Sequence, residues 1–154
     1  MQLAMPVVWS DRCRLHVPGA EIWVGVRTPA VETAARSDAI LEAVRAAGAS
    51  LVVVTRGIKG AQAWHREAGL VEVQAPAIDV VDTIGAGDSF QAALLFALRA
   101  IGRIKRGTLV QLSSDELGRV LSFAATCAAF TCGRAGADPP RQSDVGPALS
   151  RLLT

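Results

Sequence analysis

The order of elements along this 154-residue chain predicts an α/β fold, in which helices pack on a sheet that is parallel in part. Three observations support this prediction. Residues 51–55 (LVVVT) form a short run that is mostly β-branched and is apolar except for Thr55. Such a run is typical of a strand buried on both faces. A hairpin pattern around Gly69 follows it. Long segments with apolar residues at helical spacing come after the hairpin.

The strand-like runs are short and are bounded by glycine or proline. Residues 22–26 fit a short strand, although the prolines around them leave residues 1–30 without a steady period. We expect parallel strands at about 51–55 and 78–82, with a hairpin over residues 61–74 between them.

Helices are predicted where apolar residues recur every three or four positions and a stop signal follows. Gly48 and Gly102 supply two of these stops, and Ser114 with Glu116 marks the start of the longest helix. The predicted helices lie at about 33–48, 87–101, 114–132 and 143–153.

Composition and charge exclude several classes of protein. The net charge is only +2, and the single tight basic cluster, Arg103 with Lys105 and Arg106, does not form a nucleic-acid-binding stripe. The cysteines are Cys13, Cys127 and Cys132, without a CxxC pair, so we expect free thiols in a reducing cytoplasm. No apolar run long enough to span a membrane is free of polar residues, and we expect no membrane partner.

The segment Ile84-Gly85-Ala86-Gly87-Asp88 lies between a strand-like run and an apolar helix. Small residues at such a junction let backbone N–H groups converge, and the start of a helix favours negative charge. This predicts a site for a phosphate group. Asp88 at its mouth has the chemistry of a general base for an attacking hydroxyl. Its spacing is equally compatible with a simple helix cap, and the two interpretations stay open at this point.

Three other motifs are excluded, because the sequence lacks residues that each of them requires. Residues 85–90 lack the third glycine of the dinucleotide fingerprint, and no P-loop sequence occurs. Gly87-Asp88-Ser89 is similar to the start of an esterase family, but that chemistry needs a histidine base, and neither His16 nor His65 follows Ser89.

Three segments together resemble the ribokinase/PfkB family of carbohydrate kinases. Residues 82–90 (DTIGAGDSF) resemble its C-terminal signature, residues 53–61 (VVTRGIKGA) its Thr-x-Gly-x-x-Gly turn, and residues 128–140 (AAFTCGRAGADPP) its late helix and loop. The amino-acid sequence of these segments resembles bacterial fructokinases most closely. The resemblance implies a ribokinase-like three-layer αβα sandwich, truncated to its C-terminal nucleotide-binding half.

The resemblance also implies site residues. Asp88 would be the catalytic base that deprotonates a sugar hydroxyl. The anion hole would be formed by the backbone amides of Gly85, Ala86, Gly87 and Asp88. ATP would lie against Thr55, Gly57, Gly60 and Gly87. A monovalent cation such as K⁺ would be held by oxygens of Asp82, Ile84, Thr131 and Gly136. Pro140 stands where some relatives use serine, so it offers that ion no side-chain oxygen.

The chain departs from the family at its N-terminal side. Residues 1–33 do not resemble what precedes the first matching helix, and we expect an unmatched leader there and the C-terminal part of the kinase domain over residues 34–154. Most sugar-binding residues of the family are absent. So is the Asn-x-x-Glu motif that helps to place Mg²⁺, since the chain contains no asparagine. The resemblance implies ATP, Mg²⁺ and a small sugar as ligands.

We expect the isolated chain to be weakly active or inactive, because a base and a phosphate site without a sugar pocket cannot position the acceptor. Two alternatives to an active sugar kinase stay open. The chain could be a non-catalytic nucleotide-binding remnant, or a half-enzyme completed by another chain. A sheet without its usual cover also predicts a homo-oligomer formed through the uncovered surface.

Overall fold

The computed structural model describes residues 14–17, 20–26, 49–105 and 107–154. Its described strands form one sheet of five, in chain order. They are β1 (Arg14–Val17), β2 (Ala20–Val26), β3 (Leu51–Thr55), β4 (Ala61–His65) and β5 (Gly69–Val73). The helices are α1 (Ala86–Ala100), α2 (Ser114–Cys132) and α3 (Gly146–Leu153). This arrangement confirms the α/β prediction, while the helix predicted at 33–48 lies outside the described residues.

The sheet is mixed. β2 and β3 are parallel, in register from Ile22 beside Leu51 to Val26 beside Thr55, and the other neighbouring pairs are antiparallel. The hairpin predicted over 61–74 is confirmed, with His65 and Gly69 paired at its turn. Both its strands continue the sheet outward from β3.

The strand predicted at 78–82 is wrong. Residues 74–83 have no helical or strand structure, and Val80 and Val81 are 55% and 62% exposed. Apolar β-branched residues favour a strand only where a neighbouring strand can receive their backbone groups. Here the N–H groups of Val81 and Asp82 donate instead to the carbonyl of Cys132, at 2.8 and 3.1 Å. The segment therefore passes the end of α2 as an extended connection. The parallel neighbour of β3 is β2 and not residues 78–82.

The core lies between the sheet and the helices. Leu51, Val52, Val53 and Val54 of β3 are all at most 2% exposed, which confirms burial on both faces. Leu51 and Val53 join one cluster with apolar residues of all three helices. Within that cluster α2 packs on β4 and β5, and α1 and α3 pack on α2.

The helix boundaries agree closely with prediction, except at the start of α3. That helix begins at Gly146, with Pro147 in its first turn, where a residue without an N–H group costs no hydrogen bond. Residues 141–145 form turns instead, in which Asp144 N–H donates to Arg141 O and Val145 N–H to Gln142 O. Among the described helices, none combines the length and apolarity that crossing a membrane requires.

Candidate active site

The turn 56–60 and the glycine-rich segment before α1, both predicted to bind nucleotide, lie at the same end of the sheet. β3 ends at Thr55, and its antiparallel partner β4 begins beside it at Ala61. Ala61 in turn pairs with Val73, where β5 ends. The connection 74–85 therefore leaves the sheet at the same end as the turn 56–60, and it leads into the first turn of α1.

Gly85 makes the start of α1 possible. Its φ of 78° is left-handed, which residues with a Cβ seldom adopt. A Cβ on Gly85 would also lie 2.8 Å from the Cβ and 3.2 Å from the Cα of Ala137, in the loop after α2. Conformation and close packing thus both require glycine there, which brings the signature segment against the loop 133–140.

The first turn of α1 is open. Ser89 N–H makes the first helical bond, to Gly85 O at 2.9 Å, and Ala86 N–H donates to Thr83 O at 3.3 Å in a turn. The N–H groups of Gly87 and Asp88 donate to no backbone carbonyl in the described part of the chain. Of the amides predicted for the anion hole, Ala86 is therefore engaged in a long bond, and Gly87 and Asp88 are free to receive an anion.

Asp88 stands beside these amides, exposed to solvent. Among the described residues, none forms a hydrogen bond or ion pair with its carboxylate, and α1 has no side-chain cap. The capping interpretation of Asp88 therefore finds no support in this geometry, whereas an exposed carboxylate at the mouth of an open helix start fits a proton acceptor.

Asp82 ties the signature segment to the loop after α2. One carboxylate oxygen accepts Ile84 N–H and the other accepts Gly136 N–H, each at 3.0 Å. These two backbone bonds hold the pKa of Asp82 below its usual range. Three of the residues predicted for a monovalent-cation site, Asp82, Ile84 and Gly136, are thus directly joined.

Thr131, the fourth residue of that set, is fully buried and lies at the end of α2. Its Oγ1 is 2.7 Å from Ser89 Oγ of α1. The sequence patterns do not predict this contact, because the only separate role they suggest for Ser89 is that of an esterase nucleophile. The available signal was a hydroxyl on each of two helices that are otherwise apolar around it.

The turn 56–60 has its own glycine requirement. Gly60 has a φ of 81°, and a Cβ there would clash with the carbonyl oxygen of Val73. Gly57, with a φ of 58°, faces open space. The Arg56 N–H donates to Gly60 O at 2.7 Å, and Gly60 N–H to Gly57 O at 2.9 Å. The turn is therefore rigid, and it lies at the same end of the sheet as the start of α1. Its contact with ATP stays a prediction, as does the contact of Thr55 with ATP.

The described cysteines are free thiols. Burial raises the pKa of Cys127 to about 11, and burial together with the charge of Asp82 raises the pKa of Cys132. Both therefore stay protonated near neutral pH, which does not suit a nucleophile. No three histidine, cysteine or acidic side chains cluster as a metal site among residues that the structure describes.

Comparison with known proteins shows the family of this chain. Residues 17–144 match the pfkB family carbohydrate kinase. A fructokinase of Rhizobium leguminosarum bv. trifolii is 33% identical over 96 residues, which make up 62% of this chain and 24% of the fructokinase. The family match begins at residue 17, inside the segment 1–33 that we expected to be an unmatched leader. The division of the chain at residue 33 stays a prediction.

Solved structures show the same fold. The aminoimidazole riboside kinase of Salmonella enterica, in complex with aminoimidazole riboside and an ATP analogue, superposes with a TM-score of 0.53 at 28% identity, over 70% of this chain and 34% of that one. A putative ribokinase II of Escherichia coli with ATP and Mg²⁺ superposes with a TM-score of 0.58 at 25% identity, over 84% and 39%. The chain thus spans about a quarter to two fifths of these relatives. It belongs to the pfkB family of carbohydrate kinases.

Proposed function

We propose that this chain takes part in the ATP-dependent phosphorylation of a sugar hydroxyl, as a fructokinase-like or ribokinase-like kinase. The observation that carries the proposal is the open first turn of α1, where the N–H groups of Gly87 and Asp88 have no partner among the described residues and the Asp88 carboxylate lies beside them. Phosphoryl transfer needs little from a protein beyond positioning, charge stabilisation and a proton acceptor. An open helix start next to a carboxylate supplies the last two.

In this mechanism the Asp88 carboxylate accepts the proton of the sugar hydroxyl as that oxygen attacks the γ-phosphorus of ATP. The N–H groups of Gly87 and Asp88, assisted by the positive end of the α1 dipole, stabilise the charge on the transferred phosphoryl oxygens. Thr55, Gly57 and Gly60 lie along the nucleotide. The names of the relatives, and the neighbours solved with ATP or an ATP analogue, support ATP and a sugar as the ligands of this mechanism.

Two ions belong to the proposal. Mg²⁺ is commonly held by substrate phosphates and only one or two carboxylates, which fits a described region without a cluster of metal-binding side chains. It would neutralise charge between the β- and γ-phosphates. A monovalent cation such as K⁺ would take oxygens of Asp82, Ile84, Thr131 and Gly136. The joined Asp82, Ile84 and Gly136 fit this set, because a carboxylate oxygen that accepts one N–H group keeps a second lone pair.

Calorimetry on the chain tests the nucleotide site. We expect ATP and ADP to bind and adenosine to bind far more weakly, because the open first turn recognises phosphate. A radiometric transfer assay with ATP, Mg²⁺, and fructose or ribose then tests catalysis. Equal affinity for ATP and adenosine on a folded sample would contradict the phosphate site.

A second candidate is a nucleotide-binding unit whose sugar site is completed by another chain or a second copy. The exposed apolar side chains beside the site favour it, because monomers seldom expose such a patch. They are Ile78, Val80, Val81 and Ile84, between 39% and 63% exposed. Size-exclusion chromatography with light scattering distinguishes the candidates: nucleotide binding without phosphoryl transfer, by a dimer or by a chain that gains activity with a partner, would favour the second.

A further inference from the structure

The contact between Ser89 and Thr131 is a buried polar bond in an apolar interface. Ser89 is 8% exposed and Thr131 is fully buried, and their hydroxyl oxygens are 2.7 Å apart. Around them, α1 and α2 present mostly alanine, leucine and other apolar residues to the core. Burying two hydroxyls among apolar side chains is costly unless they bond to each other, so their arrangement is strictly defined.

The direction of this bond follows from a second contact. Thr131 Oγ1 also lies 3.3 Å from the carbonyl oxygen of Cys127, one turn earlier in α2, and it can only donate there. Its single proton is then used within α2, so the hydroxyl of Ser89 donates to Thr131. Ser89 thereby bonds across to α2 rather than back into its own helix.

The position of Ser89 gives this bond its consequence. Ser89 directly follows Asp88, and its N–H group makes the first helical bond of α1. Apolar packing alone tolerates small rotations of one helix against another, whereas a directional bond between hydroxyls does not. The bond therefore fixes how the first turn of α1 is rotated relative to the end of α2.

We propose that Ser89 and Thr131 are positioning residues that aim the open first turn of α1, and with it Asp88, at the phosphate. The proposal rests on the proposed phosphate site at Gly87 and Asp88. It requires no contact of either hydroxyl with substrate, because both are buried in the interface between the helices, and it is separate from the cation site proposed at Thr131.

The test compares Ser89→Ala, Thr131→Val and the double variant in the full chain. We expect each single variant to weaken ATP binding about tenfold, the usual factor for one hydrogen bond, and to leave the weak adenosine binding unchanged. The double variant should bind ATP no worse than either single variant, because all three lack the same bond. Thr131→Ser, which keeps the hydroxyl, should restore most of the affinity.

Thr126→Val and Ser122→Ala are the matched controls. The hydroxyl of Thr126 donates only within α2, to the Ser122 carbonyl at 2.8 Å, and Ser122 is exposed. Both controls should leave ATP affinity unchanged. Repeating the titrations without K⁺ separates an ion effect of Thr131, since an effect on the ion would vanish there and the positioning effect would persist.

Amide hydrogen exchange supplies a readout that does not depend on ATP. Ser89→Ala should accelerate exchange at the amides of residue 89 and Phe90 and leave Leu94, deeper in α1, unchanged. If Ser89→Ala changes exchange in this way but the wild-type chain binds no ATP, the proposed phosphate site is wrong and the helix-positioning role remains. Unchanged ATP affinity together with unchanged exchange in Ser89→Ala would overturn the proposal, as would strictly additive losses in the double variant.

Discussion

Helices α1 and α2 both begin with backbone N–H groups that have no partner inside the helix, but only α2 satisfies them with its own side chains. Ser113 Oγ accepts the Glu116 N–H at 3.2 Å, and Glu116 Oε2 accepts the Ser113 N–H at 2.9 Å. Arg103 then donates to Glu116 Oε1 at 2.8 Å. Helix α1 begins instead on the left-handed Gly85 without a side-chain cap, and the N–H groups of Gly87 and Asp88 have no partner in the part of the chain that the structure describes.

The two helix starts lie at opposite ends of the sheet. The start of α2 lies by the β4–β5 turn, where Glu67 and Ala68 line an open groove together with residues 110–114. His65 at that turn accepts the N–H groups of Glu67 and Ala68 on Nδ1. The start of α1 lies where β3 and β5 end. Side chains thus close the helix start at one end of the sheet (the closed end), while a glycine leaves the helix start at the other end open, as expected if that start receives a ligand.

The largest effect is expected from Asp88→Asn, with Asp115→Asn in the first turn of α2 as its control. In a longer version that joins this chain to a matching N-terminal half, removing the proton acceptor should lower turnover with fructose or ribose by roughly 10²–10⁴-fold, the usual range for a general base. ATP affinity and the midpoint of thermal unfolding should change little, because the Asp88 carboxylate makes no bond in the described structure. Turnover within a factor of three of wild type would remove Asp88 from the mechanism.

Gly85→Ala tests whether glycine keeps the α1 start in place. A methyl group there is strained by the positive φ and meets Ala137, so we expect a loss of about 2–4 kcal/mol in the free energy of unfolding. The displaced first turn should also bind ATP more weakly. Gly102→Ala, at the other end of α1, has a φ of 76° but open space around it, so it should cost about 1–2 kcal/mol and spare ATP binding. Denaturant unfolding and calorimetry measure both effects, and equal losses of ATP affinity would contradict the special role of Gly85.

Ser113→Ala tests the closed end. Loss of the cap should cost about 1 kcal/mol of unfolding free energy and leave ATP affinity unchanged, because α2 starts far from the phosphate site. The neighbouring Ser114→Ala removes an exposed hydroxyl outside the capping box and should cost much less. A marked loss of ATP affinity in Ser113→Ala would mean that the two ends of the sheet are coupled.

The smallest effect should come from the pH dependence of His65 at the closed end. His65 is fully buried, and burial lowers its pKa, although the Leu109 backbone and the charge of Glu67 oppose this shift. Since the folded-state pKa lies below the unfolded value of about 6.5, the unfolded chain takes up the proton first as the pH falls. The free energy of unfolding should therefore be fully supported above about pH 6.5 and decline below it.

Urea unfolding at several pH values measures this decline. Replacing His65 by leucine should flatten the curve between pH 7 and 5. An unchanged slope in His65→Leu would show that another group titrates in this range.

The sequence by itself determined the features that arise from neighbouring residues. The hairpin at 61–74, the buried strand at 51–55 and the bounds of α1 and α2 follow from periodicity, glycine stops and capping residues, all of which act over a few positions. The glycine-rich segment before α1 likewise carries its own conformation, because Gly85 and the turn it makes are local. The same local signature made the family recognisable.

Tertiary structure decided what depends on distant partners. Residues 78–82 have the composition of a strand, but the carbonyl of Cys132, 51 and 50 positions after Val81 and Asp82, accepts both of their N–H groups. Ser89 meets Thr131 across 42 positions, and Asp82 meets Gly136 across 54. Each bond requires that α1 or the connection before it first packs against α2 or the loop after it, and no periodicity within these segments encodes which hydroxyl, carbonyl or carboxylate that packing brings within reach.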